Sequence, residues 1–163
     1  MELECAGSLR DDLNSCCSAT VLRSPLPCTI VVADDYPDVA AGMAEVLSLR
    51  GHEVVQAFDG ADAWEKCRTL RPDIALLDIG MPGLTGLEVC ERIRAEPWGE
   101  HTTVVACTGW SQPADVQRAL ANGFDVHFTK PVKFDRLFRI IEAHDRHAPD
   151  ESGRAAVLRA VKG

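Results

Sequence analysis

The sequence contains no long hydrophobic run and comparatively few basic residues. A helix that crosses a membrane needs about 20 consecutive apolar residues, so we expect no transmembrane segment. The 17 lysines and arginines are outnumbered by 25 aspartates and glutamates, which gives a formal net charge of −8. Because nucleic acids and membrane surfaces are usually bound by basic patches, the composition disfavours both as partners.

Regular cysteine patterns and a leader-like start are also missing. The 7 cysteines form neither an even disulfide framework nor the CxxC pair of a zinc site. The start, Met1 to Cys5, is acidic and lacks the basic and then apolar order of a signal peptide. We therefore expect a reduced, cytoplasmic setting.

The length, 163 residues, suits one domain with additional tails. Residues 1–27 show no sustained hydrophobic period and end in a Pro-rich stop, which predicts a poorly ordered N-terminal extension. Residues 28–148 carry a regular pattern and form the predicted domain. Residues 149–163 are a short, mildly basic and weakly amphipathic C-terminal tail.

Strand-like and helical patterns alternate through the predicted domain. The strand-like runs are 29–34, 53–57, 73–77, 103–107 and 126–129. The helical patterns are 37–50, 60–70, 84–94, 113–121 and 133–146. Such alternation predicts an α/β fold, in which a five-stranded parallel sheet has helices on both faces.

Charged and polar side chains stand where four of these strands end. The first strand ends at Asp34-Asp35, and Asp78 follows the third strand, Thr108 the fourth and Lys130 the fifth. Because the carboxyl ends of parallel strands meet at one edge of a sheet, these groups should converge there. Three close carboxylates need a counter-charge, and Mg²⁺ prefers oxygen ligands. The pattern therefore predicts a magnesium site.

The motifs around these residues resemble those of a known family. The stretches are VVADDYPD, DIALLDIGMPGLTGLEV, VVACTG and GFDVHFTKPV. In order and spacing they are similar to the receiver domain of two-component response regulators, over roughly residues 28–147. Their sequences are most similar to those of receivers found in hybrid histidine kinases and in free-standing regulators. The resemblance implies a flavodoxin-like sheet with strand order 2-1-3-4-5.

The resemblance also implies roles for the acidic residues. Asp78 would be the phosphoacceptor, taking a phosphoryl group from the phosphohistidine of a sensor histidine kinase or histidine phosphotransfer protein. Asp35 and Asp78 would bind Mg²⁺ directly. Asp34 would bind it through water, and the carbonyl oxygen of Gly80 would be a further ligand.

The remaining implied roles concern phosphate binding and switching. Lys130 would pair with the phosphoryl oxygens, Thr108 would hydrogen-bond one of them, and Gly109 would leave the pocket open to a bulky donor. Thr108 and His127 would form the switch. His127 departs from the family, because Tyr or Phe usually stands there; its ring is smaller and titrates near pH 6.5.

Several functions fit these residues. The leading interpretation is a signalling module that acts on a downstream effector protein. It would not be an enzyme, apart from its own phosphotransfer and autodephosphorylation. An alternative is a Mg²⁺-dependent phosphohydrolase with an aspartyl-phosphate intermediate, although Asp78-Ile79-Gly80 lacks the second acid of its usual D-x-D motif. A further alternative is a phosphate relay or sink without effector switching. Another is a phosphorylation-independent adaptor, but the intact set of acids, hydroxyl and lysine disfavours it.

Overall fold

The computed structural model describes residues 27–109 and 112–145. The extension predicted over 1–27 and the tail predicted over 149–163 fall, apart from Pro27, outside these residues, so those boundaries stay predictions. Within the described ranges, no helix combines the length and the apolar character that crossing a bilayer requires.

Five parallel strands form a single sheet in the order β2-β1-β3-β4-β5. The strands are β1 (Thr29–Ala33), β2 (Glu53–Ala57), β3 (Ile74–Asp78), β4 (Thr103–Thr108) and β5 (Val126–Thr129). The helices are α1 (Pro37–Ser48), α2 (Gly60–Leu70), α3 (Gly86–Ala95), α4 (Pro113–Ala121) and α5 (Phe134–Asp145), with a short 3₁₀ helix at Pro97–Glu100. The predicted fold class and the flavodoxin-like strand order are confirmed.

Some element ends differ from the prediction by one or two residues. Both β3 and β4 run one residue further, so that Asp78 and Thr108 are the last residues of their strands. The third helix begins at Gly86 because Thr85 caps it: the backbone N–H of Glu88 donates to the Thr85 hydroxyl, and the Glu88 carboxylate accepts from the Thr85 N–H. The 3₁₀ helix was not predicted.

The three central strands, β1, β3 and β4, are buried on both faces, which explains their consecutive apolar residues. In β1, Ile30 and Val32 pack into the layer that contains α1 and α5, whereas Val31 packs into the layer that contains α2 and α3. All three side chains are fully buried. The sheet is therefore a rigid support for the side chains at its ends.

A buried ion pair fixes the connection between α4 and β5. The Arg94 guanidinium lies 2.5 Å from the Asp125 carboxylate and also donates to the carbonyl oxygens of Thr102 and Gly123, at 2.9 and 2.8 Å. The same Asp125 oxygen accepts from the backbone N–H of Val104 at 2.9 Å. The end of α3, the start of β4 and the segment before β5 are thus joined by one guanidinium group.

Replacing Asp125 with Ala should lower the free energy of unfolding by about 3 kcal/mol, because the buried charge of Arg94 and the N–H of Val104 lose their shared partner. Urea denaturation measures the change. Glu65→Ala is the matched control, since Glu65 pairs with Arg68 in a contact that is more than half exposed and should matter far less. Equal losses in the two variants would contradict the structural role of the buried pair.

Candidate functional site

The predicted strand-end residues converge at the carboxyl edge of the sheet. Asp34 follows β1, Asp78 ends β3, Thr108 ends β4 and Lys130 follows β5. The register brings Asp78 opposite Cys107, one residue before Thr108. The backbone N–H of Lys130 in turn donates to the carbonyl oxygen of Thr108 at 2.8 Å. Four elements far apart in sequence therefore build one site.

Three carboxylates form an acidic cluster, which consists of Asp34, Asp35 and Asp78. One oxygen from each lies within 4.8 Å of the others. Asp34 and Asp78 are buried, and the backbone N–H of Tyr36 orients Asp34 by donating to its Oδ1 at 3.1 Å. Oδ1 of Asp35 is also buried, and it has no hydrogen-bond partner among the described residues.

Lys130 supplies the positive charge within this site. Its Nζ lies 2.7 Å from Oδ2 of Asp34 and 3.1 Å from Oδ1 of Asp78. One ammonium group thus contacts two of the three carboxylates, and no such contact joins it to Asp35. The cluster keeps an excess of negative charge at a largely buried position.

The pKa values of these groups reflect burial and mutual interaction. Burial raises the pKa of Asp78 above its ordinary value; Lys130 opposes this effect, and the charges of Asp34 and Asp35 add to it. Burial by itself lowers the pKa of Lys130, but its contacts with Asp34 and Asp78 outweigh burial and raise that pKa. The site therefore favours a cation and penalises further negative charge.

The donor set of the acidic cluster fits a hard divalent cation. All three side chains offer carboxylate oxygens, which are the ligands that Mg²⁺ prefers. The unpartnered buried oxygen of Asp35 is the more specific sign, because a buried polar atom without a partner is costly. A cation bound there would satisfy this oxygen and reduce the repulsion between the carboxylates.

Glycines shape the loop that follows Asp78. A Cβ atom on Gly86 would lie 2.2 Å from the carbonyl oxygen of Asp78, so only glycine allows α3 to start so close to the strand. Gly83 has a φ of +74°, which other residues rarely adopt. Gly80 and Gly109 are exposed, and a Cβ on Gly109 would meet nothing within 4 Å. The backbone just after Thr108 is therefore uncrowded.

His127 lies on β5, away from the acidic cluster. It pairs with Ala106 of β4, two residues before Thr108, so His127 and Thr108 point to the same face of the sheet. The ring is half-buried, and its Nε2 has no hydrogen-bond partner among the described residues. Burial, and secondarily the charge of Arg136, lowers the pKa of His127, while Asp115 opposes the change. The ring therefore favours the neutral form.

Sequence reasoning missed one contribution to this site. The backbone N–H of Tyr36 was not foreseen, although an amide two residues after an aspartate is a common partner for its side chain.

Comparison with known proteins adds independent information. The sequence profile described as "Response regulator receiver domain" matches residues 30–142. The chain is 34% identical over 122 residues to the DNA-binding response regulator MtrA of Mycolicibacterium smegmatis, covering 75% of this chain and 52% of MtrA. It is 24% identical over 119 residues to the polar-differentiation response regulator DivK of Brucella anthropi, covering 73% of this chain and 97% of DivK. The chain thus spans about half the length of MtrA.

Solved structures agree with the sequence relatives. The chemotaxis response regulator CheY4 of Vibrio cholerae superimposes with a TM-score of 0.66 at 25% identity, covering 71% of this chain and 97% of CheY4. The BeF3-activated receiver domain of RstA from Klebsiella pneumoniae also gives a TM-score of 0.66, at 26% identity, covering 73% of this chain and 99% of that domain. The sheet order, the acidic cluster and these matches lead to one conclusion: the chain belongs to the response regulator receiver domain family of two-component signal transduction.

Proposed function

We propose that the chain is a phosphoacceptor receiver. Asp78 would accept a phosphoryl group, with Mg²⁺ bound, from the phosphohistidine of a sensor histidine kinase or histidine phosphotransfer protein. The modification would then change a surface that a downstream effector protein contacts. The observation that carries the proposal is the position of the Lys130 ammonium group, between Asp34 and Asp78 at the open edge of the sheet.

The acidic cluster would hold the metal. We assign Asp35 and Asp78 as direct ligands, Asp34 as a ligand through water and the Gly80 carbonyl as a further ligand. When bound, Mg²⁺ would neutralise negative charge on the oxygens of the transferring phosphoryl group. The unpartnered Oδ1 of Asp35 supports this assignment.

The chemistry of transfer requires little beyond position and charge. A carboxylate oxygen of Asp78 forms a P–O bond while the P–N bond to the donor imidazole breaks. The imidazole nitrogen keeps the electron pair of that bond and takes a proton from water, and Asp78 becomes an acyl phosphate. Lys130 would move from the carboxylates to the new phosphoryl oxygens, and the Thr108 hydroxyl would hydrogen-bond one of them.

The same groups would transmit the signal. Thr108 ends β4 and leads towards α4, whereas Lys130 lies between β5 and α5. A change in their contacts would therefore act on the surface formed by α4, β5 and α5, with His127 on the central strand. A two-state shift of that surface needs only a few kcal/mol of differential interaction with phosphate.

Asp35→Asn should have opposite effects on stability and on metal binding. Without Mg²⁺ the variant should be about 1 kcal/mol more stable than the wild type, since it removes an unpartnered charge beside two carboxylates. Mg²⁺ at 100 times its dissociation constant should stabilise the wild type by about 2.7 kcal/mol and the variant much less. Thermal unfolding with and without Mg²⁺ measures both effects.

Glu45→Gln is the control for charge alone, because Glu45 is an exposed acid on α1. This variant should respond to Mg²⁺ as the wild type does. If Asp35→Asn retained the full response to Mg²⁺, the metal assignment would be wrong.

Acetyl phosphate or a phosphorylated kinase domain should label wild-type protein once, at Asp78, only when Mg²⁺ is present. The bond should be an acyl phosphate, which hydroxylamine cleaves, and Asp78→Asn should not be labelled. In the metal-free protein burial raises the pKa of Asp78, so its carboxylate should become protonated, as pH falls, at a higher pH than an ordinary aspartate. Mass spectrometry tests the labelling, and an NMR titration without Mg²⁺ tests the direction of the pKa shift.

The same experiment separates the alternative functions. Continued turnover of a generic phosphate ester would favour the phosphohydrolase over the receiver. An acid-stable phosphoester, or undiminished labelling of Asp78→Asn, would exclude Asp78 as the phosphoacceptor.

Thr108→Ala should leave labelling of Asp78 largely intact and weaken the structural response to it. NMR spectra with and without beryllofluoride, a phosphate mimic, should show changes over residues 113–141 in the wild type that shrink in the variant. Thr69→Ala, an exposed hydroxyl on α2, should respond as the wild type does. Wild-type changes confined to the immediate site would indicate a phosphate relay or sink without effector switching.

A further inference from the structure

A groove runs along the protein beside the acidic cluster. One wall is the face of α1 that carries Val39, Met43 and Val46, and the other is the segment from Lys130 to Phe134 at the start of α5. Its volume is about 610 Å³. We call it the α1–α5 groove. It shares Lys130 with the candidate site, so an occupant would lie beside the lysine that pairs with Asp34 and Asp78.

The charge distribution limits what the α1–α5 groove can bind. Its lining is mostly apolar, and its charged members are Asp38 and Lys130. The ammonium of Lys130 is engaged by Asp34 and Asp78, whereas Asp38 forms no ion pair within residues 27–109 and 112–145. With the acidic cluster beside it, the groove favours an apolar segment that carries positive charge.

The C-terminal tail of this chain has that composition. Its sequence over 154–162 is RAAVLRAVK, in which Val157, Leu158 and Val161 are interspersed with two arginines and a lysine. The N-terminal segment 1–26 is a poorer match, because its acidic residues outnumber its arginines. We propose that residues 154–162 dock in the α1–α5 groove, with their apolar side chains against α1 and their basic side chains near Asp38 and the acidic cluster.

The length of the chain permits this contact. The fifth helix has 12 residues and is therefore about 18 Å long, at about 1.5 Å a residue. It begins at the groove, with Phe134, and ends at Asp145. Residues 146–153, which link the helix to the docked segment, can reach about 27 Å when extended, which exceeds the distance back along the helix. Docking does not require Asp78 to accept phosphate, so this proposal and the proposed function can be tested separately.

The methionines of the chain provide a direct test. There are 3: Met43 lies in the groove, Met81 is buried in the opposite layer of the core, and Met1 starts the chain. In full-length protein with ¹³C-labelled methionine methyl groups, the double variant Leu158→Glu/Val161→Glu should move the Met43 signal and leave the Met81 signal in place. High salt should move the wild-type Met43 signal in the same direction, because basic contacts are screened.

Val21→Glu/Leu22→Glu is the matched control, with the same two charges added to the other end of the chain. It should leave Met43 unchanged. A synthetic peptide of residues 150–163, added to the tail variant, should return the Met43 signal towards its wild-type position. If the substitutions also move the Met81 signal, the response of Met43 to the peptide decides the test.

Three results would overturn the proposal. The first is a Met43 signal that neither moves in the tail variant nor responds to the peptide. The second is a Met43 signal that moves only in the N-terminal control, which would make the other terminus the occupant. The third is a Met43 signal that depends on protein concentration, which would make a second copy of the chain the occupant.

Discussion

The ion pairs of Lys130 hold together carboxylates that would otherwise repel one another. Parallel strands bring Asp34, Asp35 and Asp78 to one edge of the sheet, and burial denies them the screening that water would give. The ammonium group contacts two of the three and leaves one oxygen of Asp35 without a partner. The site is therefore electrostatically incomplete, and a bound cation or a rearranged lysine each changes its energy.

Such a site needs a rigid support, because repelling groups separate when their backbone can move. The central strands β1, β3 and β4 are buried on both faces, and the close approach of Gly86 to Asp78 fixes the loop that follows β3. At the opposite, amino-terminal ends of β4 and β5, Arg94 and Asp125 join α3 to the segment that leads into β5. Packing elsewhere in the domain thus offsets the repulsion between the carboxylates of the acidic cluster.

The strands β4 and β5 and the α1–α5 groove contact the candidate site in different ways. Backbone pairing joins the end of β4, at Thr108, to Lys130 after β5, and it pairs His127 with Ala106. Of the residues that line the α1–α5 groove, Lys130 is also part of the candidate site, where it pairs with Asp34 and Asp78. A change in the position of Lys130 would therefore alter both.

Much of the fold could be predicted because its signals are local. Consecutive apolar residues such as Ile30 to Val32 indicated strands covered on both faces, and the residues at the strand ends indicated one functional edge. The strand order came from the resemblance carried by the motifs around Asp34, Asp78, Thr108 and Lys130, since alternation of strands and helices does not specify which strands are neighbours.

The sequence by itself thus determined which residue types reach the edge of the sheet. Only the tertiary structure decided that Lys130 pairs with Asp34 and Asp78 rather than with Asp35. It likewise decided that Arg94 meets Asp125, and that His144 approaches Asp73 to 3.5 Å and lowers the pKa of Asp73. Each of these contacts joins residues at least 31 positions apart in sequence. Their distances follow from strand register and helix packing, which no local pattern of residues encodes.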